Sequence, residues 1–355
     1  MRSSRYGSYR GRSRLSTFLK VLVVILLLLL IAAAAALVLG ILDPYQVYSA
    51  DGIRLNLPFL QQQEQESLPP PTASQSLVIA QTETPAPTPA PESAQVRGVL
   101  LSRQALQDGT AQQQVEAAGA NAAVFDMKAD DGSLGYVSQL ELAIGGEVSA
   151  SDPGLNDAIE TLCGGELYTI ARVSCFRDNA MPRMRNSLAL RTVSGYNWLD
   201  PEGMRWLSPA NDQVQEYLAG VCRELAALGF DEIFLDNAAF PVQGNTDSIQ
   251  TGENYDPQQF STELESFYAL VRQALADYPD VKLSIAAQEG VFAREGEEIG
   301  GQSAGLLCEY ADWVWTAEQL PDRENGETPG MPAIYPILEE SGPEQGSWLV
   351  LGGAQ

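Results

Sequence analysis

The stretch "FDEIFLDNAAFP", residues 230–241, joins an unbroken apolar run, Ile233-Phe234-Leu235, directly to a carboxylate, Asp236. Apolar residues on consecutive strand positions are buried on both faces, the mark of a parallel sheet covered by helices and not of a sheet with one wet side. A carboxylate at the end of such a run is costly to bury unless a partner neutralises it, so Asp236 is either half of a structural ion pair or part of a site.

Seven further runs of the same kind lie on either side of it. They are "RGVLL" at 97–101, "NAAVFDMK" at 121–128, "LYTIARVSCF" at 167–176, "VKLSIAA" at 281–287, "DWVWT" at 312–316, "AIYPIL" at 333–338 and "WLVLG" at 348–352. Amphipathic segments separate the earlier ones, which reads as repeated βα units. Eight runs in roughly 250 residues match a closed (β/α)8 barrel, so the sequence predicts an α/β fold of the TIM-barrel class over residues 96–355. Two connecting helices are marked by a capping residue and a proline, Ser208-Pro209 and Asp256-Pro257, each ahead of an apolar stripe of period 3.6. Between Thr316 and Ala333 the sequence reads as loop, so the second half of the barrel is expected to be irregular.

Residues 21–42 carry no charge and consist almost wholly of Val, Leu, Ile and Ala. At about 1.5 Å per residue this run spans the roughly 30 Å of a hydrocarbon core, which predicts one transmembrane helix. Six basic residues and no acid precede it, placing residues 1–20 in the cytoplasm and everything after residue 42 outside the cell. A cleaved signal peptide is the competing reading. Residues 43–95 form a stalk and a linker rich in Pro, Thr and Gln, a composition that buries too little apolar surface to fold.

All 46 acidic residues follow the apolar run, against 21 basic residues in the whole chain, so nucleic acid is not an expected partner. The chain has no histidine, which excludes Ser-His-Asp and Cys-His catalysis and His-ligated metals. Cys163, Cys175, Cys222 and Cys308 form no C-x-x-C pair, and either disulfides or buried thiols fit their spacing. The "ADDG" turn at 129–132 shows too few ligands for calcium, so no metal and no cofactor is expected.

In a barrel the site lies at the C-terminal ends of the strands. Asp126, Lys128, Asp130 and Asp131 end the second run, Asp236 and Asn237 end the fourth, and Gln288-Glu289 follow the fifth. Arg172 stands in the third, between apolar neighbours, and a guanidinium there needs an anion. Asp126 and Asp236 on the flanking strands would supply it. Such a trio either holds three strands in register or sets two carboxylates to acid and base roles.

"AAVFDMKADDGSLGY", "YTIARVSCFRDN", "NWLDPEGMRWLSPAN" and "LGFDEIFLDNAAFP", in this order and spacing, resemble a glycoside hydrolase-like domain family of bacterial extracellular and membrane-anchored proteins, over roughly residues 96–241. The resemblance implies a TIM barrel acting on O-glycosidic bonds of a polysaccharide or cell-wall glycan, with Asp236 as nucleophile or acid/base. It places Asp126 and Lys128 at the same mouth, with Arg172 orienting a carboxylate, and Lys128, Arg172 and Asn237 are the expected substrate-binding residues there. Glycosidases work with two carboxyl groups and need neither histidine nor metal. Trp198 is the expected sugar platform, its ring face suited to the C–H surface of a pyranose, whereas Trp313 and Trp315 are expected in the core. The sequence departs from the family's pattern after the fourth run, where Asn237-Ala238-Ala239 replace Tyr-Val-Arg, and at the fifth, where Ala286 stands in place of an acid. Glu289 or Glu318 would then supply the second carboxylate. The alternative is a barrel without catalysis that binds glycan or serves as a cell-envelope scaffold.

Overall fold

The computed structural model describes residues 46–49, 52–55, 95–293, 297–318 and 332–352. The chain divides into two compact units, residues 1–87 and 88–355. In the first, Gln46–Ser49 and Gly52–Leu55 pair as an antiparallel hairpin, with Gln46 opposite Leu55. The stalk reading did not anticipate this hairpin. The expected cytoplasmic tail, the membrane run at 21–42 and the linker up to residue 94 lie outside the described residues. Among the described residues no helix is long and apolar enough to cross a membrane.

In the second unit all eight expected runs form strands: β1 (Arg97–Leu101), β2 (Ala122–Lys128), β3 (Tyr168–Ser174), β4 (Glu232–Asp236), β5 (Lys282–Ala286), β6 (Trp313–Thr316), β7 (Ala333–Leu338) and β8 (Trp348–Val350). They pair in parallel in chain order, and β8 returns to β1 to close the barrel. Both faces of each strand are used. Val124, Ile170, Phe234, Trp315 and Leu349 point inward and pack on one another, while Ala123, Ala171, Ile233, Leu235 and Ile285 point outward into a larger core shared with the helices. That is why the runs are apolar without alternation. Gly98 in β1 leaves room for the inner layer, since a β-carbon there would lie 2.5 Å from Leu349.

The described helices are α1 (Ala111–Ala117), α2 (Glu141–Gly145), α3 (Leu155–Cys163), α4 (Met181–Met184), α5 (Asp212–Ala227), α6 (Phe260–Ala274) and α7 (Ala304–Tyr310). The apolar stripes of α5 and α6 face the barrel, but their starts differ from expectation. Asn211, not Ser208, caps α5, accepting from the backbone N–H of Gln213 and Val214. The buried Ser208 hydroxyl instead donates to the Asn254 carbonyl at 2.7 Å. Asp256 makes a turn with Gln258 N–H, and α6 begins later, at Phe260. A Ser-Pro or Asp-Pro pair signals the turn that leads into a helix as readily as the cap itself. The expected loop between Thr316 and Ala333 lies largely outside the described residues, and the link from β7 to β8 contains only bends and irregular chain. Cys163, Cys175 and Cys222 are free thiols, the last two fully buried.

Candidate active site

At the C-terminal end of the barrel, Arg172 of β3 gathers three carboxylates. Its Nε donates to Asp236 Oδ2 at 2.7 Å, its Nη1 to Asp126 Oδ1 at 2.5 Å and its Nη2 to Asp130 Oδ1 at 3.0 Å. The register explains the meeting: Asp126 lies opposite Arg172, and Arg172 opposite Phe234, so these inward positions of β2, β3 and β4 are level or one step apart. Asp236 keeps 20% of its side chain exposed, so it is buried enough to need its partner yet reachable by solvent. Asp236 Oδ2 and Asp130 Oδ1 both contact the single nitrogen Nη2, at 2.6 and 3.0 Å. Their oxygens are therefore less than about 6 Å apart, an upper bound that falls short of the spacing of inverting carboxyl pairs.

Asp130 joins this group to a second one. Its other oxygen meets Arg177 Nη1 at 2.7 Å, and Arg177 also binds Asp200 at 2.8 Å and Glu202 at 2.5 Å. Burial works against the charge of Asp130, but Arg172 and Arg177 outweigh it and hold the carboxyl below its ordinary value. Burial likewise opposes the charge of Asp200, and hydrogen bonds from Met204 N–H, Trp206 and Arg177 hold its carboxyl low. For Arg172 the order is the same: desolvation is overcome by Asp236, Asp126 and Asp130, and its pKa rises. Sequence reasoning missed Arg177, Asp200 and Glu202 as members of the site. Their signal was there in "CFRDN" and "NWLDPEG", whose charges stand just past the third run and in the loop after it. Arg103 was missed as well; its Nε donates to the Asp126 carbonyl at 2.5 Å and its guanidinium also binds Ser133.

A cleft of about 200 Å³ opens beside this network, lined among others by Arg177, Asp200, Trp206, Asn237, Val242 and Gln288. A larger hollow of about 400 Å³ beside α1 and α3 holds none of the three carboxylates. Asn237 sits at the edge of the cleft in the left-handed region, φ 49°, which asparagine tolerates better than most side chains. Its side chain donates to the Ser174 hydroxyl at 2.9 Å, and its backbone N–H to Asp236 Oδ1 at 2.7 Å. The second oxygen of Asp236 is thus aimed by its own neighbour.

Two expected binding residues lie elsewhere. Lys128 is fully buried, with Nζ donating to the Ser174 carbonyl at 2.6 Å and paired with Asp178 at 3.0 Å. A bulge between Asp126 and Lys128 moves Lys128 opposite Val173, an outward position, while Asp126 stays level with the inward Arg172. Trp198 is also buried, donating from Nε1 to the Asn245 carbonyl and meeting Trp206 edge-on at 6.4 Å, so it supports the loop and offers no open face. Glu289 is exposed on the turn after β5. Glu318 accepts from Gly290 N–H at 3.2 Å and so anchors that turn. Among the described residues no cluster of three or more His, Cys, Asp or Glu side chains is arranged to hold a metal ion.

Comparison with solved structures finds a hypothetical protein from Ruminiclostridium thermocellum, 27% identical over 53% of this chain and 95% of that one, with a TM-score of 0.45. The glycoside hydrolase domain of PgaB (BpsB) from Bordetella bronchiseptica is 17% identical over 62% of this chain and 74% of that one, TM-score 0.42. An alpha-galactosidase from Thermus thermophilus is 15% identical over 62% of this chain and 41% of that one, TM-score 0.38. No curated protein matches the chain. A sequence model of the family described as "Putative glycosyl hydrolase domain" matches residues 101–316, from the last residue of β1 to the last of β6. That span extends well past residue 241 and contains every member of the Arg172 network, and the chain belongs to this glycosyl hydrolase domain family.

Proposed function

We propose that the barrel acts on O-glycosidic bonds of a polysaccharide or cell-wall glycan, with Asp236 as the carboxylate that meets the sugar. What supports this reading is the convergence of Asp126, Asp130 and Asp236 on one guanidinium at the mouth of the barrel. Arg172 orients these groups and sets a positive charge beside them, which suits a nucleophile or a group that stabilises an oxocarbenium-like transition state. The proton for the leaving oxygen then comes from a carboxyl outside the network. Glu289, exposed and in no ion pair among the described residues, takes that role, while Asp126 stays beside Asp236 on the same guanidinium. Asn237 and Gln288 would contact sugar hydroxyls in the cleft.

Asp236→Asn is expected to abolish release of reducing ends from purified peptidoglycan and a panel of bacterial polysaccharides while the barrel stays folded. A variant that retained full release would sink the assignment. The second reading, a barrel that binds glycan without cleaving it, draws support from Arg172 holding three acids at once and from Ala286 at the end of β5. It predicts no release by the parent protein and unchanged glycan pull-down by Asp236→Asn. In either case we place the barrel outside the cell, on a stalk of residues 43–95 and anchored through the apolar run at 21–42 with the basic residues 1–20 in the cytoplasm. Protease added to intact cells should then remove the barrel.

A further inference from the structure

Beneath the cleft lies a buried amide that the site does not use directly. Gln302, in the loop between β5 and α7, is fully buried. Its Oε1 accepts from Gln288 N–H at 2.8 Å, and its Nε2 donates to the Ala286 carbonyl at 3.1 Å and to the Tyr268 hydroxyl at 3.0 Å. Tyr268, on α6 and also fully buried, passes the chain on by donating to the Ala238 carbonyl at 2.6 Å. One side chain thus ties the exit of β5, and through one phenol the exit of β4. Asn237 and Gln288, which line the cleft, sit on those two exits, each at or next to a tied atom.

The loop is built to deliver that amide. Gly300 and Gly301 both have positive φ, at 58° and 87°. A β-carbon on Gly301 would lie 2.7 Å from the Phe260 carbonyl, and one on Gly300 would collide with the carbonyl of Phe240. Phe240 N–H in turn donates to the Gly300 carbonyl at 3.0 Å. Two glycines let the chain press against the end of β4 and turn Gln302 under β5. A buried polar network fully satisfied in this way rigidifies what it touches.

We propose that Gln302, acting through Tyr268, is a positioning residue that sets the spacing between the exits of β4 and β5 and hence the place of Asn237 and Gln288 in the cleft. This rests on the cleft being the carbohydrate site proposed above. The test is a cycle of Gln302→Leu, Tyr268→Phe and the double variant. Gln302→Leu removes three hydrogen bonds of this network and Tyr268→Phe two, and each change breaks the tether between the exits, so kcat for glycan release should fall about tenfold with KM within twofold. The double variant should fall no further than the weaker single, because both cut one tether. Additive losses, or kcat unchanged in variants that remain folded at the assay temperature, would overturn it.

Amide hydrogen exchange supplies an arm that needs no substrate. Gln302 bonds to no atom of the β4 exit, yet Gln302→Leu should speed exchange at Asn237. Tyr268 bonds to no atom of the β5 exit, yet Tyr268→Phe should speed it at Gln288. If each variant disturbs only its own side, the two exits are not coupled and the inference fails. A parent protein that releases no sugar, with the cross-effects present, would instead sink the hydrolase reading and leave this one standing.

Discussion

Arg172 carries three anions on one planar fork, and the geometry is what a lysine cannot reproduce, because an ammonium is a point charge without fixed directions. Arg172→Lys is therefore expected to keep the net charge but lower glycan release by at least about a hundredfold, read as kcat/KM. Arg172→Met takes the ion-pair partner from Asp126 and Asp236 and leaves Asp130 with Arg177 alone, and should cost about 3–5 kcal/mol in a urea titration. Glu232 is the opposite case. It is fully buried at the start of β4 and accepts from Tyr168, Ser284, Trp313 and Trp315, with no cation bound to it among the described residues. Burial outweighs those four donors and raises its pKa above the ordinary 4.5. The folded state then holds a proton that the unfolded state has released, so this contribution to stability is complete below about pH 4.5 and declines as pH rises through the raised value. Glu232→Gln removes that dependence. Its stability relative to the parent should rise from pH 5 to pH 8 in paired denaturant titrations, and a difference independent of pH would show the carboxyl to be charged throughout.

At the scale of elements, α5 is decided by its cap. In a peptide of residues 205–229, Asn211→Ala should reduce helicity by the equivalent of about 1 kcal/mol, and Ser208→Ala should change it little, as read by circular dichroism. The Ser208 hydroxyl matters only in the folded barrel, where Asn254 receives it. β2 teaches a related lesson. Asp126 and Lys128 are two apart and should share a face, but the bulge between them sends the lysine to Asp178 under the loop. A bulge costs one residue of register and leaves no mark in an apolar run.

For the whole molecule, closure depends on its last strand. β8 contributes three fully or nearly buried residues, and Leu349 packs inside against the first strand at Gly98. The family match ends at β6, so β7 and β8 close the barrel beyond it. Truncation after residue 346 should open β1 and β7 as free edges, and the loss is expected to be cooperative: no folded baseline in a denaturant titration, with dye binding to exposed apolar surface. A truncated protein with a single sharp transition near the parent's would mean that the barrel does not need its seam.

Read alone, the amino-acid order determined the eight strands, because burial on both faces demands consecutive apolar residues, and it pointed to the Asp126-Arg172-Asp236 contact, because an inward guanidinium with apolar neighbours on its own strand finds its anions on the adjacent ones. It marked Asn237 as a candidate binding residue and Gln288 only as a residue past a strand end. Tertiary structure alone decided that Lys128 turns away, that Trp198 is covered by its own loop, and that Asp130 links two arginines. Those outcomes hang on a register shift and on loops that meet from distant parts of the chain, and neither is encoded in the periodicity of any one segment.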